Sequence, residues 1–184
     1  MRATELAHLL LRQSLRAGDQ VVDATVGNGH DTLFLAKLVG PQGHVFGFDI
    51  QQAALAEAAK NVEGLSQVTL IHVGHEKLAE RLPEDCTGQL AAVMFNLGYL
   101  PGASKDITTQ TETTLIALEQ AIANLKTHGL ITLVLYPGHT EGAKEAQPVR
   151  SYAQQLGQDY AVTHYKRLNT QRPAPELLVI ERLS

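Results

Sequence analysis

The run Val21-Val22-Asp23-Ala24-Thr25-Val26-Gly27-Asn28-Gly29-His30-Asp31-Thr32 constrains the fold more than any other stretch of this 184-residue chain. Apolar, β-branched residues end on an acid, a Gly-x-Gly turn follows, and helix-forming residues begin near His30. Twenty residues past Gly29 a second apolar run, Val45-Phe46-Gly47-Phe48-Asp49, also ends on an acid. This is the outline of a βαβ nucleotide-binding unit. Glycines let backbone approach a ligand closely, and the second carboxylate can grip a ribose diol.

The alternation continues to the end of the chain. Periodicity and turn residues predict a leading helix over 3–15, strand 20–25, helix 30–39, strand 44–49, helix 51–62, strand 67–72, a short helix near 75–81 and strand 89–96. Helix 108–127, strand 129–136, helix 141–156 and strands 159–167 and 176–183 follow. Such a pattern implies one α/β domain over residues 1–184: a mostly parallel, seven-stranded, Rossmann-like sheet with helices on both faces. The last two strands have no helix between them, so they are expected to close the sheet as an antiparallel hairpin. In the leading helix, Leu6, Leu9, Leu10 and Gln13 are expected on one face.

Several classes are excluded on the way. No uninterrupted apolar stretch reaches the roughly 18 residues of a membrane span, and the N-terminal apolar run, broken by Arg12 and Arg16, does not read as a signal peptide. One cysteine, Cys86, precludes an internal disulfide and suits the cytoplasm; its polar surroundings make it an incidental loop residue rather than a nucleophile. The eight histidines show no metal-ligand spacing, so no metal site is expected. A net charge of −4 is not that of a typical nucleic-acid binder, although Lys144, Arg150, Lys166, Arg167 and Arg172 cluster in the last third and could form one face.

Thr32 stands where a dinucleotide fingerprint has its third glycine, and Asp23 lies four residues before Gly27. An extra carboxylate there opposes a pyrophosphate, which needs the positive end of the following helix. S-adenosylmethionine carries a sulfonium, an ammonium and a single carboxylate, so Asp23 can face its cationic end while Asp49 binds the ribose hydroxyls. The loop therefore favours S-adenosylmethionine over NAD. Ligands of open α/β sheets lie beyond the strand carboxyl ends, which directs attention to 23–29, 49–51, 74–76, 96–101 and 136–139.

Asn96-Leu97-Gly98-Tyr99-Leu100-Pro101 resembles the Asn-Pro-Pro-Tyr tetrad of amino-methylating enzymes, with Leu97 and Gly98 in place of the prolines. In such a tetrad the asparagine carbonyl and a neighbouring backbone carbonyl accept from an amine, aiming its lone pair at the methyl group, and an aromatic ring packs the base. Positioning supplies much of the acceleration of a methyl transfer. A reacting alkylamine must also be neutral, which requires a base or a desolvated pocket. Tyr136-Pro137-Gly138-His139 ends another strand; His139 is a base or a substrate contact, with Glu145 steadying the helix or the pocket. His75-Glu76 is placed to line the adenine pocket.

Taken together, these residues resemble the rRNA methylase family of small class I methyltransferases, members of which are associated with methylation of 5-aminomethyl-2-thiouridine at the tRNA wobble position. The resemblance spans essentially the whole chain. It rests on the 23–32 loop, on Phe95-Asn96-Leu97-Gly98-Tyr99-Leu100-Pro101-Gly102, on Tyr136-Pro137-Gly138-His139 with Gly142 and Glu145, and on a tail running from Asn169 to Pro173-Ala174-Pro175-Glu176. The tail departs from the family's usual Asn-Gln and adjacent prolines. The resemblance implies that Asp23, Gly27, Asn28, Gly29, Asp49, Gln51, His75 and Asn96 bind the cofactor, with Thr25, Asp31, Thr32, Ile50 and Glu76 completing the set. It implies a substrate face of Leu97, Gly98, Tyr99, Pro101, Tyr136, His139, Glu145, Asn169 and Pro175, in which Asn96, Tyr99 and His139 are catalytic. The implied partner is the tRNA anticodon loop, where an unpaired base can be splayed out and stacked; a homodimer is expected to supply further RNA surface. Methylation of rRNA or of a small-molecule amine, an NAD-dependent oxidoreductase and a non-catalytic binding module are the competing readings.

Overall fold

The computed structural model describes residues 1–98, 109–138 and 140–184, apart from the side chains of Thr140 and Glu141. The chain runs α1 (Ala3–Ser14), β1 (Gln20–Asp23), α2 (His30–Val39), β2 (His44–Asp49), α3 (Gln52–Asn61) and β3 (Val68–His72). A 3-10 turn (His75–Lys77) leads into α4 (Leu78–Arg81), and a second (Glu84–Cys86) precedes β4 (Leu90–Asn96). Then come α5 (Thr111–Asn124), β5 (Leu125–Leu135), α6 (Thr140–Gln154), β6 (Tyr160–Tyr165) and β7 (Glu176–Arg182).

The seven strands form one sheet in the order β3-β2-β1-β4-β5-β7-β6. Neighbours from β3 to β5 are parallel, whereas β7 is antiparallel to both β5 and β6. The expected sheet and its closing hairpin are both present. The strand order reverses at β1, which lies between β2 and β4, so the switch point opens beyond Asp23 and Asn96.

Burial on both faces explains why β4 is a continuous apolar run. Val93 and Phe95 point to one face, where they join Phe48, Leu118, Ile131 and Val149 under α5 and α6. Ala92 and Met94 point to the other, joining Ala7, Leu11, Val21, Leu35 and Val134 under α1 and α2. Successive strand residues face opposite sides, so one strand serves both cores.

Three sequence expectations need correction. The buried face of α1 is Ala7 and Leu11, flanked by Ala3, Leu6 and Leu10, while Leu9 and Gln13 are exposed. Three adjacent leucines fit two helical faces equally well, and contact with the sheet selects one. The helix expected over 108–127 ends at Asn124, and Leu125 already pairs with Leu90 of β4. Ile122 and Leu125 keep a helical spacing, which hid the boundary. The pairing then breaks and resumes at Leu130, across an irregularity in which His128 takes φ 62° and Gly129 lies against Leu125 and the Leu90 carbonyl. Cys86 is not an incidental loop residue. It is buried, its thiol donates to Gln20 Oε1, and burial pushes its pKa up to about 11, which leaves it an unreactive thiol.

Candidate active site

The glycine loop is held by the acid that ends β2. Gly27 N–H donates to Asp49 Oδ2 (2.8 Å) and Gln51 N–H to Asp49 Oδ1 (2.8 Å), so the acid ending β2 ties the loop after β1 to its own turn. Gly29 adopts φ 82°, which turns the chain into α2, and a Cβ there would lie 2.8 Å from Cα and Cβ of Ala58 on α3. Asn28 presents its carbonyl to Asn61 Nδ2 (2.8 Å).

Asp23 is completely buried and accepts from the Thr32 hydroxyl (2.6 Å) and the Thr25 N–H (3.1 Å). Burial, and then the nearby Asp31 charge, push its pKa up to about 7 against those two hydrogen bonds, with Asp49 adding a smaller upward push. Thr32, expected to touch the cofactor, is itself fully buried, and its hydroxyl is committed to Asp23. It occupies the third-glycine position as a clamp on the acid. Thr25 joins two strand ends, since its hydroxyl accepts from the Asn96 N–H (2.8 Å).

Asn96, at the end of β4, lies in a chain of side chains reaching across three elements. Its Nδ2 donates to Asp31 Oδ2 (3.1 Å), and its Oδ1 accepts from the Tyr136 hydroxyl (2.8 Å). The carboxylate can only accept, which orients the amide. Burial raises the pKa of Tyr136, keeping the phenol a neutral donor. On the far side of Asp31, His8 Nε2 donates to Oδ1 (2.7 Å). The His8 ring stacks on Phe34 at 3.8 Å between centroids. Sequence reasoning missed His8: on α1 it reads as one polar residue on an amphipathic helix, and only the fold carries α1 over the switch point.

The remaining expected residues divide clearly. Ile50 is exposed just beyond β2. His75 is buried, donates from Nδ1 to the Ala24 carbonyl (3.0 Å), and is kept neutral by burial; its Nε2 has no partner among the described residues. Glu76 gives its carbonyl to Gln120 (2.8 Å). Leu97, expected on the substrate face, turns its side chain into the core, and its N–H donates to Val134. Glu145, expected to steady the helix or the pocket, is buried, and its two oxygens accept from the hydroxyls of Thr109 (2.7 Å) and Thr114 (2.6 Å). The Thr109 N–H donates to the Gly98 carbonyl and the Gly98 N–H to the Thr109 hydroxyl, so Glu145 steadies the contact between Gly98 and Thr109. Tyr99, Leu100, Pro101 and His139 lie outside the described residues.

The tail does approach the site. The Pro173 carbonyl lies 3.1 Å from where a Cβ of Gly138 would be, although Asn169 and Pro175 are exposed. Arg150, His164 and Lys166 converge on buried Glu176, which pairs with Leu135 at the end of β5. Of the five cations expected on one face, two therefore meet here, together with a histidine that was not foreseen. No group of three or more metal-ligating side chains occurs among the described residues, and no described helix is long and apolar enough to cross a membrane.

A doubly wound sheet with a glycine loop after β1, an acid closing β2 and an asparagine at the switch point is the architecture of a class I methyltransferase. Comparison with known proteins agrees. Residues 45–181 match the family described as "Putative rRNA methylase", and the chain belongs to that family. It is 40% identical over 190 residues to the chloroplastic tRNA (mnm(5)s(2)U34)-methyltransferase of Arabidopsis thaliana, a match covering 97% of this chain and 68% of the relative. The crystal structure of a "putative rRNA-methylase" from Clostridium thermocellum superposes with a TM-score of 0.94 at 40% identity, covering 100% of this chain and 98% of that one. A Streptococcus mutans "putative methyltransferase" in complex with SAH gives 0.88 at 34% identity, covering 100% and 99%. The protein is thus an S-adenosylmethionine-dependent methyltransferase, which overturns the oxidoreductase alternative.

Proposed function

We propose that this enzyme methylates the exocyclic amine of 5-aminomethyl-2-thiouridine at the wobble position of tRNA. The observation that carries the reading is the Asn96 amide, fixed at the switch point between Asp31 and the Tyr136 hydroxyl. Its Oδ1 keeps a second lone pair for an amine N–H, and Asp31 supplies negative charge for an aminomethyl group, which is cationic in water. The Arabidopsis relative, named for methylation at U34 of tRNA, supports the choice of acceptor.

The residues present suit the methyl donor. Asp23, Asp31 and Asp49 lie close enough for the charges of the latter two to raise the pKa of the first. Such a cluster repels a pyrophosphate and attracts a sulfonium and an ammonium. Asp49, with one lone pair left on each oxygen, would accept from the ribose hydroxyls. Gln51 and the backbone of Gly27, Asn28 and Gly29 would border the donor. Ile50 would pack on adenine with Glu76 at the rim, and His75 Nε2, a buried acceptor without a partner among the described residues, would take an N–H such as the adenine amine. When bound, S-adenosylmethionine provides an electrophilic methyl group whose C–S electron pair returns to sulfur. Asn96 would hold the acceptor nitrogen, and Tyr136, with Tyr99, Pro101 and His139, would face the base. Gly98, Asn169 and Pro175 would border the RNA, and a homodimer would extend that surface.

Nucleoside mass spectrometry of tRNA from cells lacking the protein tests this. The expected result is accumulation of the aminomethyl nucleoside, reversed when purified protein and S-adenosylmethionine are added. Unchanged tRNA nucleosides with a methyl group missing from rRNA would sink the assignment.

A further inference from the structure

An aminomethyl group must shed a proton before its nitrogen can attack, and the structure offers a receiver. We propose that Asp31 accepts this proton and that His8, on α1, is the positioning residue that holds its carboxylate in place; the inference rests on the amine-acceptor reading above.

Asp31 lies in the first turn of α2, beside the amide that would grip the amine. Each of its oxygens already takes one donor, Oδ1 from His8 Nε2 at 2.7 Å and Oδ2 from Asn96 Nδ2 at 3.1 Å. Each therefore keeps a lone pair, and the side chain remains 12% exposed, so it can meet a ligand. An amine donating to Asn96 Oδ1 would sit on the same amide whose Nδ2 donates to Asp31 Oδ2, which makes that carboxylate the neighbouring acceptor. In the step itself an N–H bond of the ammonium breaks and its electron pair stays on nitrogen. The proton passes to Asp31 Oδ2 and from there to water.

His8 is clamped for its task. Its ring lies on Phe34, one turn further along α2 than Asp31, at 3.8 Å and 13° from parallel. The Arg12 guanidinium lies 5.2 Å from the centre of the same Phe34 ring. The ring thus presents Nε2 to Asp31 and to no other described residue.

The charged and titratable surroundings come from every neighbouring element. Asp23 on β1 is shifted upward by burial and then by Asp31 itself, and feels Asp49 from β2. Tyr136, beyond β5, is raised by burial, opposed by a Thr4 hydrogen bond, and feels both Asp31 and Arg2. On α1, His8 and Arg12 complete the set. The His8 Nε2 donation to Asp31 Oδ1 fixes the carboxylate, whose Oδ2 faces the Asn96 amide.

The test compares wild type with Asp31→Asn, His8→Gln and His8→Phe. It measures kcat and KM against pH on tRNA carrying the aminomethyl nucleoside, and donor affinity by calorimetry. Asp31→Asn should lower kcat at saturating donor about 100-fold or more, the range of a lost acid–base group, a far larger change than the accompanying fall in donor affinity. His8→Gln retains an amide donor to Asp31 and should keep kcat within about fivefold. His8→Phe retains the stacking but no donor and should lower kcat about tenfold at unchanged KM. Thermal melts identify a variant that fails to fold, and His8→Gln leaves a conservative arm if one does. Full turnover by Asp31→Asn overturns the proton assignment alone. Loss of donor binding in that variant overturns it in favour of a cofactor contact. No turnover by wild type on this tRNA overturns both this inference and the acceptor reading.

Discussion

Asp23 shows how one side chain can couple stability to the contents of a crevice. Its pKa is about 7 in the folded protein against an ordinary aspartate value of 3.8, because burial outweighs two hydrogen bonds. Between those values the folded chain holds a proton that the unfolded chain has released. The stabilisation is complete below the unfolded value and is lost as pH rises through the folded one, at about 1.4 kcal/mol per pH unit. Urea unfolding of wild type and Asp23→Asn at pH 5 and pH 7 should show wild type losing about that much more per unit. Parallel curves would mean that Asp23 is ionised throughout. The acid itself was legible in the sequence, since an aspartate before a glycine pair has few other uses. The role of Thr32 was not, because a missing glycine says what a loop does not bind and nothing of what the replacing hydroxyl touches.

Between elements, Gly29 is the contact most sensitive to change. Its φ of 82° disfavours any side chain, and Ala58 of α3 leaves no room for one. Gly29→Ala should destabilise the protein by about 2–4 kcal/mol, combining overpacking with left-handed strain. In the double variant with Ala58→Gly only the methyl part of the clash is relieved, because the Cα at 58 also lies 2.8 Å away, so most of the loss should persist, as a thermodynamic cycle would show. Full recovery would show that neither φ nor the close backbone contributes. The βαβ unit was readable because glycine, acid and apolar run each leave a mark on local sequence. The end of α5 was not, since Leu125 serves a helical face and a strand equally well, and neither was His8, whose partners Asp31 and Phe34 lie more than twenty residues away. Contacts decided by tertiary packing leave no periodic trace.

For the whole molecule, the difficulty is a net charge of −4 on a protein proposed to hold RNA. The sheet resolves it by placement. β6 runs alongside β7 and in the same sense as β5, so its end at Tyr165 emerges at the crevice edge. There Arg150, His164 and Lys166 share the single carboxylate of Glu176, and the excess of positive charge lies next to the turn after β5. Lys166 is the most exposed of the three and lies 3.3 Å from Glu176, so it can reach a phosphate without leaving a buried anion unpaired, as Arg150 remains at 2.6 Å. Lys166→Glu should raise KM for tRNA about fivefold to tenfold at low salt and leave kcat and donor affinity unchanged. The slope of log KM against log salt should fall by about one, the signature of a lost phosphate contact. An unchanged slope would place the RNA on another face of the sheet.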